Sequence, residues 1–346
     1  MQSFAQSLLR WYSRYGRKDL PWQKNITPYR VWVSEVMLQQ TQVATVMRYY
    51  DAFLHRFPSL EILAKSSLEE VLTLWAGLGF YARAKNLHHA AQIIATKYQG
   101  IFPTDFKTVL ELPGIGRSTA GAILAISTQQ RHPILDGNVK RVLSRYFTVS
   151  GAINHPKTLE KLWSYSEAVT PKKNIAAFTQ AIMDLGATLC TRTKPICKAC
   201  PLKAGCQAYH LNKVSHFPEK TIKKTIPTRA VVMLVLIHKK QNLILLEKRE
   251  AQGIWGGLWS LPECSEDTKV KSFCQKTFGL KMIKLKPLTP LRHTFTHFHL
   301  NILPVLVEIN EPKLKKFNSP YQWHCLTRKT ELALASPIKR LLHTIS

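Results

Sequence analysis

The chain has 346 residues and carries 49 Lys and Arg against 21 Asp and Glu, a formal charge of +28. That length accommodates about two domains with cores of their own, and a content of 45 % hydrophobic and 10 % aromatic residues excludes a basic disordered tail. The positive excess divides evenly, +14 in residues 1–210 and +14 in residues 211–346, which favours a polyanionic partner, nucleic acid foremost, over a merely soluble surface.

Residues 1 to about 210 read as helical. Apolar residues recur at three- and four-residue spacing over 29–50, 68–75, 83–94 and 118–126, with short Pro- or Gly-containing breaks between them. In the first of these, Glu35 has Val31, Trp32, Leu38 and Gln39 as helical neighbours, and three of the four are apolar. A carboxyl there is partly desolvated, its pKa rises, and it becomes a proton donor near neutral pH; alone it would read more readily as a snorkelling surface glutamate. The adjoining Gln39, Gln40, Thr41 and Gln42 offer uncharged groups suited to base edges.

Further on, Leu112-Pro113-Gly114-Ile115-Gly116-Arg117-Ser118 lies between two helical patterns, about 105–127 in all. Gly114 and Gly116 permit close approach of backbone amides to a phosphate, and the next helix adds its positive end. This has the form of a helix-hairpin-helix, which holds nucleic-acid backbone without reading sequence. Asp136 then enters a basic helix in the stretch 133–141, where it serves as an N-cap, a role compatible with facing a cleft.

Cys190, Cys197, Cys200 and Cys206 crowd into one loop with the spacing C-x6-C-x2-C-x5-C. In a reducing compartment such a set is a ligand cluster rather than a pair of disulfides. Thiolates suit zinc or iron-sulfur centres; a single short loop with uneven gaps favours a four-iron four-sulfur cubane. Arg192, Lys194, Lys198 and Lys203 lie among the cysteines, where they suit phosphates, while Cys264, Cys274 and Cys325 scatter as core residues do.

After residue 210 the texture changes. Residues 211–228 are polar and basic with two prolines, as a linker is. Strand-like runs follow at 230–237, 243–249, 285–288 and 294–309, with helical patterns at 267–278 and 331–345, giving a mixed α+β domain over 229–346. No apolar run is long enough to span a bilayer, and the N-terminal residues lack the order of a secretory signal, so a cytoplasmic protein without membrane contact is expected.

Taken together, the stretches SEVMLQQTQVATV, WAGLGFYARAKNLH, LPGIGRSTAGAI and ILDGNVKRVL and the cysteine loop resemble the helix-hairpin-helix glycosylases of the endonuclease III superfamily, most specifically the adenine DNA glycosylases. The resemblance covers essentially the whole chain. It implies a multidomain protein: an all-α helix-hairpin-helix glycosylase domain (1–210) with an iron-sulfur loop (190–206), a basic linker (211–228) and an α+β Nudix-like, MutT-related domain (229–346). It further implies a monomer that acts on double-stranded DNA at A:8-oxoguanine or A:G mispairs in the nucleoid, with one four-iron four-sulfur cluster.

By the same resemblance Glu35 protonates the flipped adenine, Asp136 stabilises the oxocarbenium-like sugar, and Asn138 orients the aspartate. Ser118 stands where bifunctional relatives carry a lysine; a hydroxyl forms no Schiff base, so a monofunctional enzyme leaving an abasic site is implied. Trp22 and Gln180 line the adenine pocket, and Gln40, Thr41, Leu78 and Phe80 probe the stack, Phe80 replacing the more usual tyrosine. Phe295, Thr296 and His297 belong to the loop that reads 8-oxoguanine, with Thr296 where serine is commoner. Residues 256–262 resemble the entry to a Nudix box, but the glutamates expected after it are missing, so nucleotide hydrolysis is not expected.

Overall fold

The computed structural model describes residues 2–219, 225–309, 317, 319–326 and 332–345. They form two compact units, Met1–Lys65 with Arg83–Lys223, and Ser66–Ala82 with Lys224–Ser346. Among the described residues no helix is long and apolar enough to cross a membrane.

The first unit is helical, and its chain runs through α1 (Gln2–Tyr15), α2 (Pro28–Leu38), α3 (Val43–Arg56) and α4 (Leu60–Lys65). Segment 66–82, which holds α5 (Leu68–Trp75), packs with the second unit. The first unit then resumes with α6 (Ala82–Lys97), α7 (Phe106–Leu110), α8 (Arg117–Thr128), α9 (Gly137–Tyr146), α10 (Pro156–Val169), α11 (Ile175–Thr188) and α12 (Gln207–His210). The single helical stretch expected over 29–50 is in fact two helices. The run of amides breaks it, with Gln40 in the left-handed region at φ +58°.

Local chemistry sets the helix starts. Thr27 caps α2, accepting the Arg30 N–H at 3.2 Å, with Pro28 at the first helical position. Asp105 caps α7 through the Thr108 N–H at 2.9 Å. Helix α8 is the hydrophobic centre, every residue from Ala120 to Ile126 being buried. Burial of each large aliphatic chain there contributes roughly 1.5 to 3 kcal/mol. Gly121 has a steric reason: a Cβ would lie 2.8 Å from the Pro133 carbonyl oxygen, so its absence lets the segment leading to Asp136 lie directly on α8.

The second unit is a mixed sheet. Its strands are β1 (Thr228–His238), β2 (Leu243–Lys248), β3 (Trp259–Ser260), β4 (Glu263–Cys264), β5 (Met282–Pro287), β6 (Leu291–Thr294), β7 (His299–Ile309) and β8 (Tyr321–Cys325). The order is β3-β2-β1-β7-β5, with β4, β6 and β8 pairing β1, β7 and β2. Only β1 and β7 among these strands pair in parallel, over eleven residues from Thr228↔His299 to His238↔Ile309. Residues 232–238 of β1 are buried throughout, as a strand covered on both faces must be. Helix α13 (Val270–Phe278) contributes Cys274 and Phe278 to a core with Leu234, Leu236, Leu245 and Val307; helix α14 (Ser336–Ile345) closes the chain.

Two strand and helix expectations need correction. The run 294–309 is not one strand: β6 ends at Thr294, the Phe295 N–H donates to the Phe298 carbonyl at 2.9 Å, and the chain turns back as β7. Stacking of Phe295 on Phe298, 4.6 Å between centroids, closes that turn, so its alternating aromatics mark a hairpin tip. The last helix begins at Ser336; Glu331, where the sequence pattern starts, lies outside the described residues. The expected linker is also held at its start, because the Arg145 guanidinium donates to the carbonyls of Val214 (3.2 Å) and Phe217 (2.9 Å).

Candidate active site and cysteine loop

Glu35 lies in the last turn of α2 and is half-buried. Loss of water around its carboxyl, and after that the negative charge of Asp136, push it up to about 8. The two carboxyls therefore act on one another electrostatically. The end of α2 is secured by Arg83, at the start of α6, whose Nη1 donates to the carbonyls of Val36 (2.8 Å), Met37 (2.8 Å) and Gln39 (2.5 Å). Its Nη2 reaches Thr41 Oγ1 at 3.1 Å. A cation at a helix C-terminus satisfies carbonyls that have no partner in the helix. Here it also fixes the Gln40–Thr41 turn, in which Gln40 is exposed.

Asp136 is the N-cap of α9: its Oδ1 accepts the Val139 N–H at 2.7 Å, and its Oδ2 accepts the Asn138 amide at 3.3 Å. Burial raises its pKa, while these hydrogen bonds and the charge of Arg141 oppose the rise by favouring the carboxylate. The capping role expected of Asp136 is thus met by this geometry. Ser118 Oγ accepts the Leu135 N–H at 2.9 Å, so it pins the backbone immediately before the aspartate.

Asn138 is held in turn by Arg141, which donates to Asn138 Oδ1 (2.8 Å), the Gly186 carbonyl (2.7 Å) and the Cys190 carbonyl (2.7 Å). One turn later Arg145 donates to Cys190 Sγ at 3.3 Å and to the Thr191 and Arg192 carbonyls. A basic face of α9 therefore ties the Asp136–Asn138 pair to the first cysteine. Helix α11 approaches closely there, since a Cβ at Gly186 would meet Asn138 Cβ at 2.6 Å.

The cysteine loop brings Cys190, Cys197, Cys200 and Cys206 around one small pocket, closed by Arg145, Leu189, Tyr209 and Val214. All four are free thiols. Burial pushes Cys200 up to about 12 and raises Cys197 and Cys206, with the neighbouring sulfurs adding to the rise. A sulfur-only donor set converging on one space fits a thiolate-ligated iron-sulfur cluster.

The hairpin lies between α7 and α8 as expected. Gly114 takes φ +80°, and a Cβ there would strike Asn86 Cβ at 2.8 Å; a Cβ at Gly116, the N-cap of α8, would meet open space, so an anion can reach the first amides of the helix. Arg117 is stacked on Trp163 at 3.9 Å beside it. Trp22 is 95 % buried, edge-on to Tyr50 at 5.6 Å. Its neighbour Gln23 donates to Gln180 Oε1 at 3.5 Å, which sets Gln180 beside the turn that carries Trp22.

The remaining expected residues belong to the second unit. Leu78 is buried and Phe80 is 45 % exposed at φ +49°. Thr296 and His297 are exposed at the tip of the β6–β7 hairpin, and Phe295 packs on Trp255 at 5.5 Å as well as on Phe298. Arg83, Arg141, Arg145 and Trp255 are absent from the residues expected from sequence. Spacing carried a signal for two of them, Arg141 and Arg145 lying four apart on one helix face.

A model of the HhH-GPD superfamily of base excision DNA repair proteins matches residues 33–168, and a NUDIX domain model matches 232–344. The adenine DNA glycosylase of Buchnera aphidicola subsp. Acyrthosiphon pisum is 42 % identical over 347 residues, covering 98 % of this chain and 96 % of that protein. The human adenine DNA glycosylase is 33 % identical, covering 86 % of this chain and 65 % of that protein. Among solved structures, a thermostable thymine-DNA glycosylase superposes with a TM-score of 0.55 at 28 % identity, covering 60 % of this chain and 95 % of its own. An endonuclease III bound to DNA shares the fold with a TM-score of 0.51 at 20 % identity, covering 60 % and 94 %. Identity of this degree along nearly the full length establishes that the chain belongs to the adenine DNA glycosylase family.

Proposed function

We propose that this chain excises adenine from duplex DNA in base excision repair, where the adenine stands opposite 8-oxoguanine or guanine, and leaves an abasic site. The observation that carries the reading is the carboxyl pair: Glu35 held protonated near neutral pH, and Asp136 capped by amides that favour its charge. Two carboxyls in different surroundings, one chiefly desolvated and one accepting hydrogen bonds, divide the work of acid and ion stabiliser.

In this reading adenine leaves the stack, since its glycosidic bond is inaccessible inside the duplex. Glu35 delivers a proton to the adenine ring, and the C1′–N bond breaks with its electron pair going to the base. Asp136 faces the positive sugar, with Asn138 and Ser118 holding its orientation through their hydrogen bonds. Water then adds to C1′, and its proton returns to the Glu35 carboxylate. Without an amine at residue 118, no Schiff base forms there and the strand stays intact.

Gly114 and Gly116 hold the DNA backbone; Trp22 and Gln180 border the adenine; Gln40, Thr41, Leu78 and Phe80 probe the stack; Phe295, Thr296 and His297 read the opposite base. Cys190, Cys197, Cys200 and Cys206 would hold one four-iron four-sulfur cluster. Bound there, the cluster would serve architecture, holding the loop whose Cys190 and Thr191 carbonyls Arg141 and Arg145 grip. We place the enzyme, as a monomer, on nucleoid DNA in the cytoplasm, with functional domains over 1–210 and 229–346 joined by 211–228.

The deciding experiment incubates duplexes carrying A opposite 8-oxoguanine, with and without subsequent alkali. Scission only after alkali is expected. Scission without alkali would make the enzyme a lyase, and no adenine release would leave a lesion-binding protein.

A further inference from the structure

Residues 66–82 lie within the helical half of the sequence, yet they pack with the second unit. One carboxylate joins them to the sheet. Glu69, in the first turn of α5, accepts Lys248 Nζ on Oε2 at 2.6 Å and the Trp259 indole Nε1 on Oε1 at 2.9 Å. Lys248 and Trp259 are register partners across β2 and β3. The ammonium also lies 5.1 Å from the indole centroid, and His324 of β8 packs edge-on against the same ring at 4.8 Å. A lone surface ion pair adds little stability. Two donors from paired strands, one on each oxygen, do something else: they fix the orientation of the carboxylate and of the helix that carries it.

From that anchor the helix extends about 9 Å to Trp75, at roughly 1.5 Å per residue. Trp75 is fully buried, its Nε1 donates to the Gly79 carbonyl at 3.2 Å, and its carbonyl accepts the Leu78 N–H at 3.0 Å. Gly77 and Gly79 take φ +111° and +74°, which only glycine adopts freely, and Phe80 follows at φ +49°. A left-handed aromatic residue is strained and persists only where its surroundings impose it. Anchor, helix and turn form one lever with the exposed Phe80 ring at its tip.

We propose that Glu69 is a positioning residue for the intercalating turn: through Lys248 and Trp259 it makes Leu78 and Phe80 move with the hairpin that carries Thr296. Stacking into the duplex is thereby tied to reading of the base opposite adenine. The inference rests on the assignment of Phe80 to the stack and Thr296 to the opposite base.

The test compares the full-length protein with E69A, E69Q and K248A. One measurement is single-turnover adenine release from A:8-oxoguanine and A:G duplexes; the other is the fluorescence of a 2-aminopurine placed beside the 8-oxoguanine, which reports stacking. E69A should slow release opposite 8-oxoguanine about tenfold, change release opposite guanine by less than about twofold, and blunt the fluorescence response. E69Q keeps an oxygen for the Trp259 donor and should recover part of both effects, and K248A should follow E69A in the same direction even if E69A folds poorly. Equal slowing on both duplexes, or an unchanged fluorescence response in E69A and K248A, overturns the proposal. A wild-type enzyme with no preference for 8-oxoguanine overturns the Thr296 assignment instead, and the fluorescence response then decides the lever.

Discussion

The carboxyl of Glu35 illustrates how a catalytic group is made by its surroundings. Its value of about 8, against 4.5 for an ordinary glutamate, means that the folded protein holds the proton more tightly than the unfolded chain does. Two outcomes follow from that sign. As Glu35 loses its proton, adenine release should fall up to tenfold per unit above about pH 8, and it should fall again in acid as Asp136 gains one, in single-turnover rates measured across pH. Stability runs the same way: it should be greatest below the unfolded value and decline as pH rises through the window from 4.5 to about 8. Replacing Glu35 by Gln removes the ionisation cost. At about 1.4 kcal/mol per pK unit, discounted because the residue is only partly buried, E35Q should be more stable than wild type by on the order of 2 kcal/mol at pH 7. Thermal melts at pH 4 and pH 7 check this, the gain disappearing at pH 4, while adenine release by E35Q should fall by roughly a hundredfold or more.

At the scale of elements, the site is a junction of α2, α8, α9 and α11, and small groups make it possible. Gly186→Ala would force a methyl group against Asn138, separating α9 from α11 at the point where Arg141 spans them. We expect a loss of about 1 to 3 kcal/mol in denaturant unfolding, with a fall in adenine release larger than the fall in DNA affinity. Ser118→Ala would leave the Leu135 N–H unpaired at a cost of about 1 to 3 kcal/mol, and should slow excision without creating strand scission.

The sequence made part of this junction legible. Apolar periodicity around Glu35, the capping position of Asp136 and the Gly114–Gly116 turn each leave a local signature, because each depends on near neighbours in the chain. Arg141 and Arg145 leave only their four-residue spacing, and Arg83 leaves nothing, because the carbonyls they hold lie tens of residues away in a chain with 49 Lys and Arg. The hairpin tip at 295–298 is hidden for another reason. Alternating His and aromatic residues satisfy a strand pattern, and only stacking of Phe295 on Phe298 turns them into a loop. Likewise, nothing local in 66–82 announces that Glu69 answers to Lys248 and Trp259, nearly 180 and 190 positions on.

Over the whole molecule the even division of charge becomes a measurable claim. A basic surplus kept for solubility would leave DNA affinity weakly dependent on salt, whereas each phosphate neutralised by Lys or Arg releases counterions and steepens log K against log salt by about 0.9. Residues 211–346 carry +14 of the +28. If both halves touch the duplex, a chain ending at residue 219 should show a slope smaller by about 0.9 for every phosphate that it no longer neutralises, measured by fluorescence anisotropy between about 50 and 200 mM salt. Loss of stacking by Phe80 in the same fragment would lower affinity at every salt concentration but leave the slope unchanged, since base stacking releases no counterions. The slope therefore isolates the electrostatic share of the second half. An unchanged slope would assign all phosphate binding to residues 1–219, and the charge of the remainder would then serve solubility alone.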